Sequence, residues 1–253
     1  QQTFPKLLQK GGYQTALIGK WHLASEPTGF DYYCVAPTGA HRNPPLSIKG
    51  NPWKGDNGGA RREGYGDDLL AGIALDWLKK RQPDKPFCIM IHYLAAHGPH
   101  VLAERHKDKF KDTVFPEPPT LLDDYAGRAP GEVAGELIWS RLIQNDYPQY
   151  QHVKKGYTGN VTNDTRLMYQ EYLRGYLRLA LSLDDNVGHV LDYLDTSGLA
   201  TNTVVIFTSD NGYFLGEHGF YNKMWMYEEG YRLPLMVRLP KTLGGIAPGS
   251  LND

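Results

Sequence analysis

Three short clusters in this 253-residue chain hold side chains that could do chemistry together. Lys20 and His22 lie in Gly-Lys-Trp-His, and His97 and His100 in His-Gly-Pro-His. Asp210 and Asn211 lie in Ser-Asp-Asn-Gly, with His218 and Lys223 further on. Asp210 and Asn211 offer oxygen ligands to a hard cation. Lys20 and Lys223 offer positive charge to an anion, and His22 and His97 can move a proton near neutral pH. That set suits hydrolysis of an anionic ester. No nucleophile lies within the clusters, and two oxygen ligands fall short of the about six to eight that Ca²⁺ takes.

Taken singly, each cluster has a plainer reading. Lys20-x-His22 is an acceptable polar turn, His97 and His100 could simply end a strand, and Asp-Asn-Gly is a good turn sequence. His92 reads as a satisfied core histidine. Asp67 and Asp68 read as a helix cap with a favourable dipole contact, and Asp184, Asp185 and Asn186 as a solvated or packing face. What raises the clusters above these readings is their expected convergence. Each follows a strand, and in open α/β sheets ligands bind beyond the carboxyl ends of the strands.

The elements that would position them alternate between strand and helix, as in an α/β fold with a mainly parallel sheet sandwiched by helices. Strands are expected at Thr15–Ile18, Pro86–Leu94, Thr203–Thr208 and Leu235–Leu239. The apolar run of Pro86–Leu94 predicts a central strand buried on both faces. Helices are expected at Phe4–Lys10, ended by Gly11 and Gly12, at Asp67–Arg81, and at Arg166–Asp195. In Asp67–Arg81, Leu70, Ile73, Ala74 and Trp77 share one face. The stretches Cys34–Tyr65 and Pro116–Gly159 are dense in Gly, Pro, Asn and Asp and read as long surface loops.

Composition narrows the function classes. Hydrophobic residues make up 41% and charged residues 22%, close to globular averages. Lys plus Arg number 27 against 28 Asp plus Glu, a net charge of -1, so a whole-domain grip on nucleic acid is not expected. No window approaches the roughly 18 apolar residues of a membrane span. The two cysteines, Cys34 and Cys88, define neither a disulfide framework nor a metal site. Nothing in the residues sets an oligomeric state. The chain opens without Met inside an amphipathic helix and closes in a turn, so it reads as an internal segment of a longer protein. Asn160 and Asn163 begin Asn-x-Thr sequons.

The clusters and their flanks resemble the type I sulfatases of the alkaline-phosphatase superfamily. Gly12–Leu23 (GYQTALIGKWHL) resembles a sulfatase signature, and Pro86–Pro99 the family's strand ending in His-x-Pro. Ser182–Gly212 resembles the helix and strand leading to its metal-binding Asp-Asn. Leu215–Glu229 (LGEHGFYNKMWMYEE) resembles the segment with its sulfate-binding lysine. The resemblance implies that Asp210 and Asn211 ligate Ca²⁺ and that Lys20 and Lys223 bind sulfate oxygens. It also implies that His97 is the general acid for the leaving alcohol and that His22 is the base that helps release sulfate. Cations would meet transition-state charge while His97 protonates the alkoxide.

The family nucleophile, a formylglycine made from Cys or Ser in Cys/Ser-x-Pro-x-Arg, has no counterpart here, and neither do two further Asp ligands. Cys34 and Cys88 lie in the wrong context. The resemblance therefore implies a partial sulfatase catalytic domain over residues 1–253. The nucleophile and metal segment would precede residue 1, and a C-terminal subdomain would follow Ala247–Asp253. The chain alone is then expected to lack turnover.

Within the family, Gly29–Tyr33, Pro116–Arg128 and Gly216–Tyr227 most resemble mucin-desulfating, N-acetylglucosamine-6-sulfatase-like enzymes. A sulfated glycan substrate is thereby implied, with His100 and His218 as further substrate contacts. By the same resemblance the parent would be periplasmic, secreted or lysosomal. Two alternatives stay open: a phosphomonoester or phosphonate monoester hydrolase of the same superfamily, and a non-catalytic glycan-binding homologue.

Overall fold

The structure, a computed structural model, describes residues 2–55, 58–129, 138–144 and 148–243. The chain divides into two compact units. The first comprises Gln1–Lys109 with Tyr176–Leu194, and the second Phe110–Gly175 with Asp195–Asp253.

In the first unit, α1 (Phe4–Lys10) starts with a Pro in its first turn and stops at Gly11, whose N–H bonds back to the carbonyl of Leu7. A five-stranded sheet follows, in the order β4-β3-β2-β1-β5. Its strands are β1 (Gln14–Lys20), β2 (Tyr32–Ala36), β3 (Pro45–Ile48), β4 (Ala60–Arg61) and β5 (Phe87–His92). The sheet is mixed. β1 runs parallel to both β2 and β5, whereas β3 is antiparallel to β2 and to β4.

Helix α2 (Gly66–Lys80) covers one face. Ile18, Cys34 and Ala36 point towards its Leu70 and Ala74, while their alternate neighbours Leu17, Tyr33 and Val35 pack with Phe30 on the opposite face. Both faces of β1 are thus covered, and its five inner residues are all buried.

Two expectations are corrected here. β5 is not central: it is the outermost strand on its side, and all six of its residues are half-buried. An apolar run reports burial potential and not position in the sheet. The stretch Cys34–Tyr65 is not only loop, since it holds the end of β2 and all of β3 and β4. Local pattern does not show these strands because β2 is covered on both faces and so has no alternation, and because β3 and β4 are four and two residues long.

The second unit contains the short helices α3 (Trp139–Gln144) and α4 (Gln151–Lys154), both inside the expected loop Pro116–Gly159. The 36-residue α5 (Val161–Thr196) follows, with its Tyr176–Leu194 portion belonging to the first unit. β6 (Val205–Thr208) pairs antiparallel with β9 (Leu235–Arg238). β7 (Phe214–Leu215) and β8 (Tyr221–Asn222) form a small hairpin, and α6 (Glu228–Tyr231) leads towards β9.

The expectation that three strands end at one edge of one sheet is therefore met for β1 and β5 only. β6 has its own two-stranded sheet in the second unit. Local pattern identifies a strand, but pairing depends on partners distant in sequence. Among the described residues no helix is long and apolar enough to cross a membrane. The segment Ala247–Asp253 lies outside the described residues.

Candidate active site

β1 and β5 deliver the first two clusters to a common edge. Their register sets Gly19 opposite His92, so Lys20 and the residues after His92 leave the sheet together. Gly19 has a φ of 116°, a conformation side chains resist, and a Cβ there would stand 2.0 Å from the His92 carbonyl oxygen. His92 Nδ1 is 3.1 Å from the Lys20 carbonyl, to which it donates, in keeping with a satisfied structural histidine. Gly39 lies beside Lys20: a Cβ added there would come within 3.6 Å of Lys20 Cδ. His22 is exposed two residues beyond Lys20.

After β5 the chain turns sharply to His97. The His97 N–H donates to the Leu94 carbonyl at 2.9 Å, closing the turn. The His97 ring is exposed and its Nδ1 donates to the Gly98 carbonyl. With Nδ1 as the donor, the neutral ring carries its lone pair on Nε2.

This turn is bound by His41, which the sequence did not mark, and by Asp67, which it marked only as a helix cap. Asp67, fully buried, accepts the Leu94 N–H at 2.8 Å and the Ala95 N–H at 3.2 Å. His41, 5% exposed, donates from Nε2 to the His97 carbonyl at 2.7 Å. Burial raises the Asp67 pKa, against the pull of the two N–H donors and His41. Burial lowers that of His41, as does nearby Lys20, while the His97 carbonyl and Asp67 oppose the shift. His100 is 6% exposed and meets the Tyr176 ring edge-on at 6.3 Å. Burial, with the adjoining His41 and His97, pushes its pKa down to about 3, so His100 is a neutral interior group.

In the second unit, Asp210 is exposed at the end of β6 and Asn211 is half-buried. Ser209 Oγ donates to the Asn211 carbonyl at 2.9 Å, and the Gly212 N–H to the Gly230 carbonyl at 2.9 Å. A Cβ on Gly212 would lie 2.0 Å from the Glu229 carbonyl oxygen, so the turn is pinned against the α6 backbone. Lys223, half-buried, follows directly on β8. His218 lies 4.7 Å from the Tyr227 ring, its Nε2 is 3.2 Å from Glu229 Oε1, and its N–H donates to Thr120 Oγ1 at 2.8 Å.

For a hard cation the donor types of Asp210 and Asn211 are right. Among the described residues there is no group of three or more His, Cys, Asp or Glu that could hold a metal ion. Asp210 and Asn211 are the two candidate side-chain ligands for a hard cation.

The paired carboxylates at the start of α2 are not caps. The N-cap position is Tyr65, without a side-chain cap bond. Asp67 serves the β5 turn, and Asp68 takes a two-pronged bond from Arg105 at 2.8 and 2.9 Å. Arg105 also reaches Asp185 at 2.6 Å, His106 reaches the same carboxylate at 2.7 Å, and Asn186 Nδ2 donates to Asp68 at 2.8 Å. Burial pushes the Asp68 carboxyl up, but the bonds from Arg105 and Asn186 hold it below the usual range. Asp185 and Asn186 therefore belong to a network and not to a solvated face. A Gly-Asp-Asp start followed by helical periodicity was the available signal, and it fits caps equally well.

A family model for sulfatases matches residues 1–247. An N-acetylglucosamine-6-O-sulfatase of Bacteroides thetaiotaomicron is 36% identical over 96% of the chain and 50% of its own length. The human N-acetylglucosamine-6-sulfatase is 28% identical over 97% of the chain and 42% of its own length. The structure of BT4656 in complex with its substrate D-glucosamine-2-N,6-O-disulfate superposes with a TM-score of 0.85 at 35% identity, over 95% of this chain and 56% of that one. The chain belongs to the sulfatase family and has its fold. It spans about half the length of these relatives.

Proposed function

We propose that this chain is a central part of a sulfuric ester hydrolase that removes sulfate from a sulfated carbohydrate, with 6-O-sulfated glucosamine units as the substrate class. The observation that carries the reading is the shared edge of β1 and β5, where Lys20 and the His97 turn emerge side by side within a sulfatase-family chain. The names of the two similar N-acetylglucosamine-6-sulfatases and the substrate in the BT4656 structure support the sugar class.

In this reading Lys20 and Lys223 hold the sulfuryl oxygens and meet the charge that grows on them in the transition state. His97 donates from Nε2 to the leaving sugar oxygen. His22, exposed beyond Lys20, takes a proton during sulfate release. Asp210 and Asn211 would hold Ca²⁺, which when bound supplies Lewis-acid charge to the sulfuryl group. The nucleophile, expected as formylglycine, is not among these residues, because the chain contains no Cys/Ser-x-Pro-x-Arg motif. His100, neutral and buried, is better suited to supporting the His97 turn than to touching an anionic sugar. His218, half-buried against Tyr227 and Glu229, remains the proposed sugar contact of the pair. Export to a periplasm, the exterior or a lysosome belongs to the same reading.

A comparison of esters tests it. The full-length protein should release sulfate from N-acetylglucosamine 6-sulfate with kcat/KM at least about 100-fold above phosphate release from the 6-phosphate. The reverse preference would favour the phosphoryl-transfer alternative, and no hydrolysis of either ester the non-catalytic one.

A further inference from the structure

The turn that carries His97 is held by two buried ionisable side chains from distant parts of the chain. Asp67, in the first turn of α2, gives one carboxylate oxygen to the Leu94 N–H and the other to the Ala95 N–H, at 2.8 and 3.2 Å. His41, from the loop after β2, gives its Nε2–H to the carbonyl of His97 itself at 2.7 Å. Both are at most 5% exposed. Burying a carboxyl and an imidazole is costly unless their bonds are used. Here three bonds go to Leu94, Ala95 and His97 of a single turn, while α2 gains no cap from Asp67.

We infer that Asp67 and His41 are positioning residues that aim His97 at the leaving oxygen, Asp67 by clamping the first half of the turn and His41 by fixing its carbonyl. The inference rests on the proposed sulfuric ester hydrolase with His97 as its acid. In that step the oxygen of the nucleophile expected outside these residues bonds to sulfur as the ester S–O bond breaks, the electrons of the broken bond stay with the ester oxygen, and that oxygen takes the Nε2 proton of His97. Neither Asp67 nor His41 touches substrate. Displacing a donor by about 1 Å forfeits much of a contribution that runs to about 10²–10⁴-fold, so their effect should appear only where protonation matters.

Leaving-group dependence separates this role from a merely structural one. A sugar alkoxide needs a proton to leave, and 4-nitrophenolate does not. In the full-length enzyme, His41→Leu and Asp67→Asn should lower kcat on N-acetylglucosamine 6-sulfate by about tenfold or more, with KM within about threefold. On 4-nitrophenyl sulfate the same variants should stay within about threefold of the parent. His41→Gln, which places an N–H donor near the Nε2 position, should recover most of the sugar-sulfate rate.

Equal losses on both substrates, or no loss on the sugar sulfate, would overturn the inference. If Asp67→Asn does not fold, the His41→Leu and His41→Gln pair decides alone. His97→Ala is the control. If it too shows no leaving-group dependence, the assignment of His97 fails. If it shows the dependence and the other variants do not, only the positioning role fails.

Discussion

Gly19 and His92 face each other across the β1–β5 pair so closely that a Cβ on Gly19 would stand 2.0 Å from the His92 carbonyl oxygen. The contact lies one residue before Lys20, where the two strands hand over the residues proposed for chemistry. Gly19→Ala should cost at least about 3 kcal/mol, because the new methyl meets backbone and the φ of 116° resists any side chain. Denaturant unfolding of the full-length protein checks this. A cost below about 1 kcal/mol would mean the strands can separate without consequence.

Asn186 is 1% exposed and its Nδ2 donates to Asp68 and to the Ser182 carbonyl, both at 2.8 Å. Asn186→Leu removes both bonds while keeping the branching and heavy-atom count of the side chain, and should destabilise by at least about 1–3 kcal/mol. Asp184, two residues earlier and exposed, is the contrast: Asp184→Ala should stay within about 0.5 kcal/mol. Similar values for the two, read from urea midpoints at constant slope, would remove the buried network from the account.

His100 gives the fold an acid limb. Its folded pKa of about 3 lies below the unfolded value of about 6.5, so above pH 6.5 the group is neutral in both states and folding gains its full contribution. As pH falls below 6.5 the unfolded chain takes up a proton that the folded chain refuses, and stability is lost progressively towards pH 3. Between pH 7 and pH 5 this one group should remove about 2 kcal/mol. His100→Phe should flatten that slope, and an unchanged slope in the variant would show that His100 is not the group responsible.

The proposed roles predict a common phenotype. Lys20→Ala, His97→Ala and Asp210→Ala should each lower sugar-sulfate turnover by about 10²-fold or more, the scale of losing a transition-state charge or proton donor. Asp210→Ala should also weaken Ca²⁺ binding in calorimetry. Near-normal turnover in two of the three would overturn the assignment.

How much of this was legible in the residues follows from which interactions are local. Phe4–Lys10 is a helix with the expected bounds, its end marked by Gly11 and Gly12. α2 and α5 announced themselves by period, and β1, β5, β6 and β9 by apolar runs. β2, β3 and β4 did not, being covered on both faces or too short to show a period. Lys20 and His97 could be placed together because each ends a strand, and β1 and β5 do pair. His41 and Asp67 could not: one lies in an irregular loop, the other mimics a helix cap, and only the paired strands bring both to the His97 turn.

The central claim is that the grip on sulfate begins at Lys20. The most direct measurement is inorganic sulfate released from N-acetylglucosamine 6-sulfate by the full-length protein and by its Lys20→Ala variant, at equal concentration and with folding verified. Steady release by the parent and a loss of about 10²-fold or more in the variant is the predicted result. Release that survives the substitution unchanged, or a parent that releases none, would contradict the account.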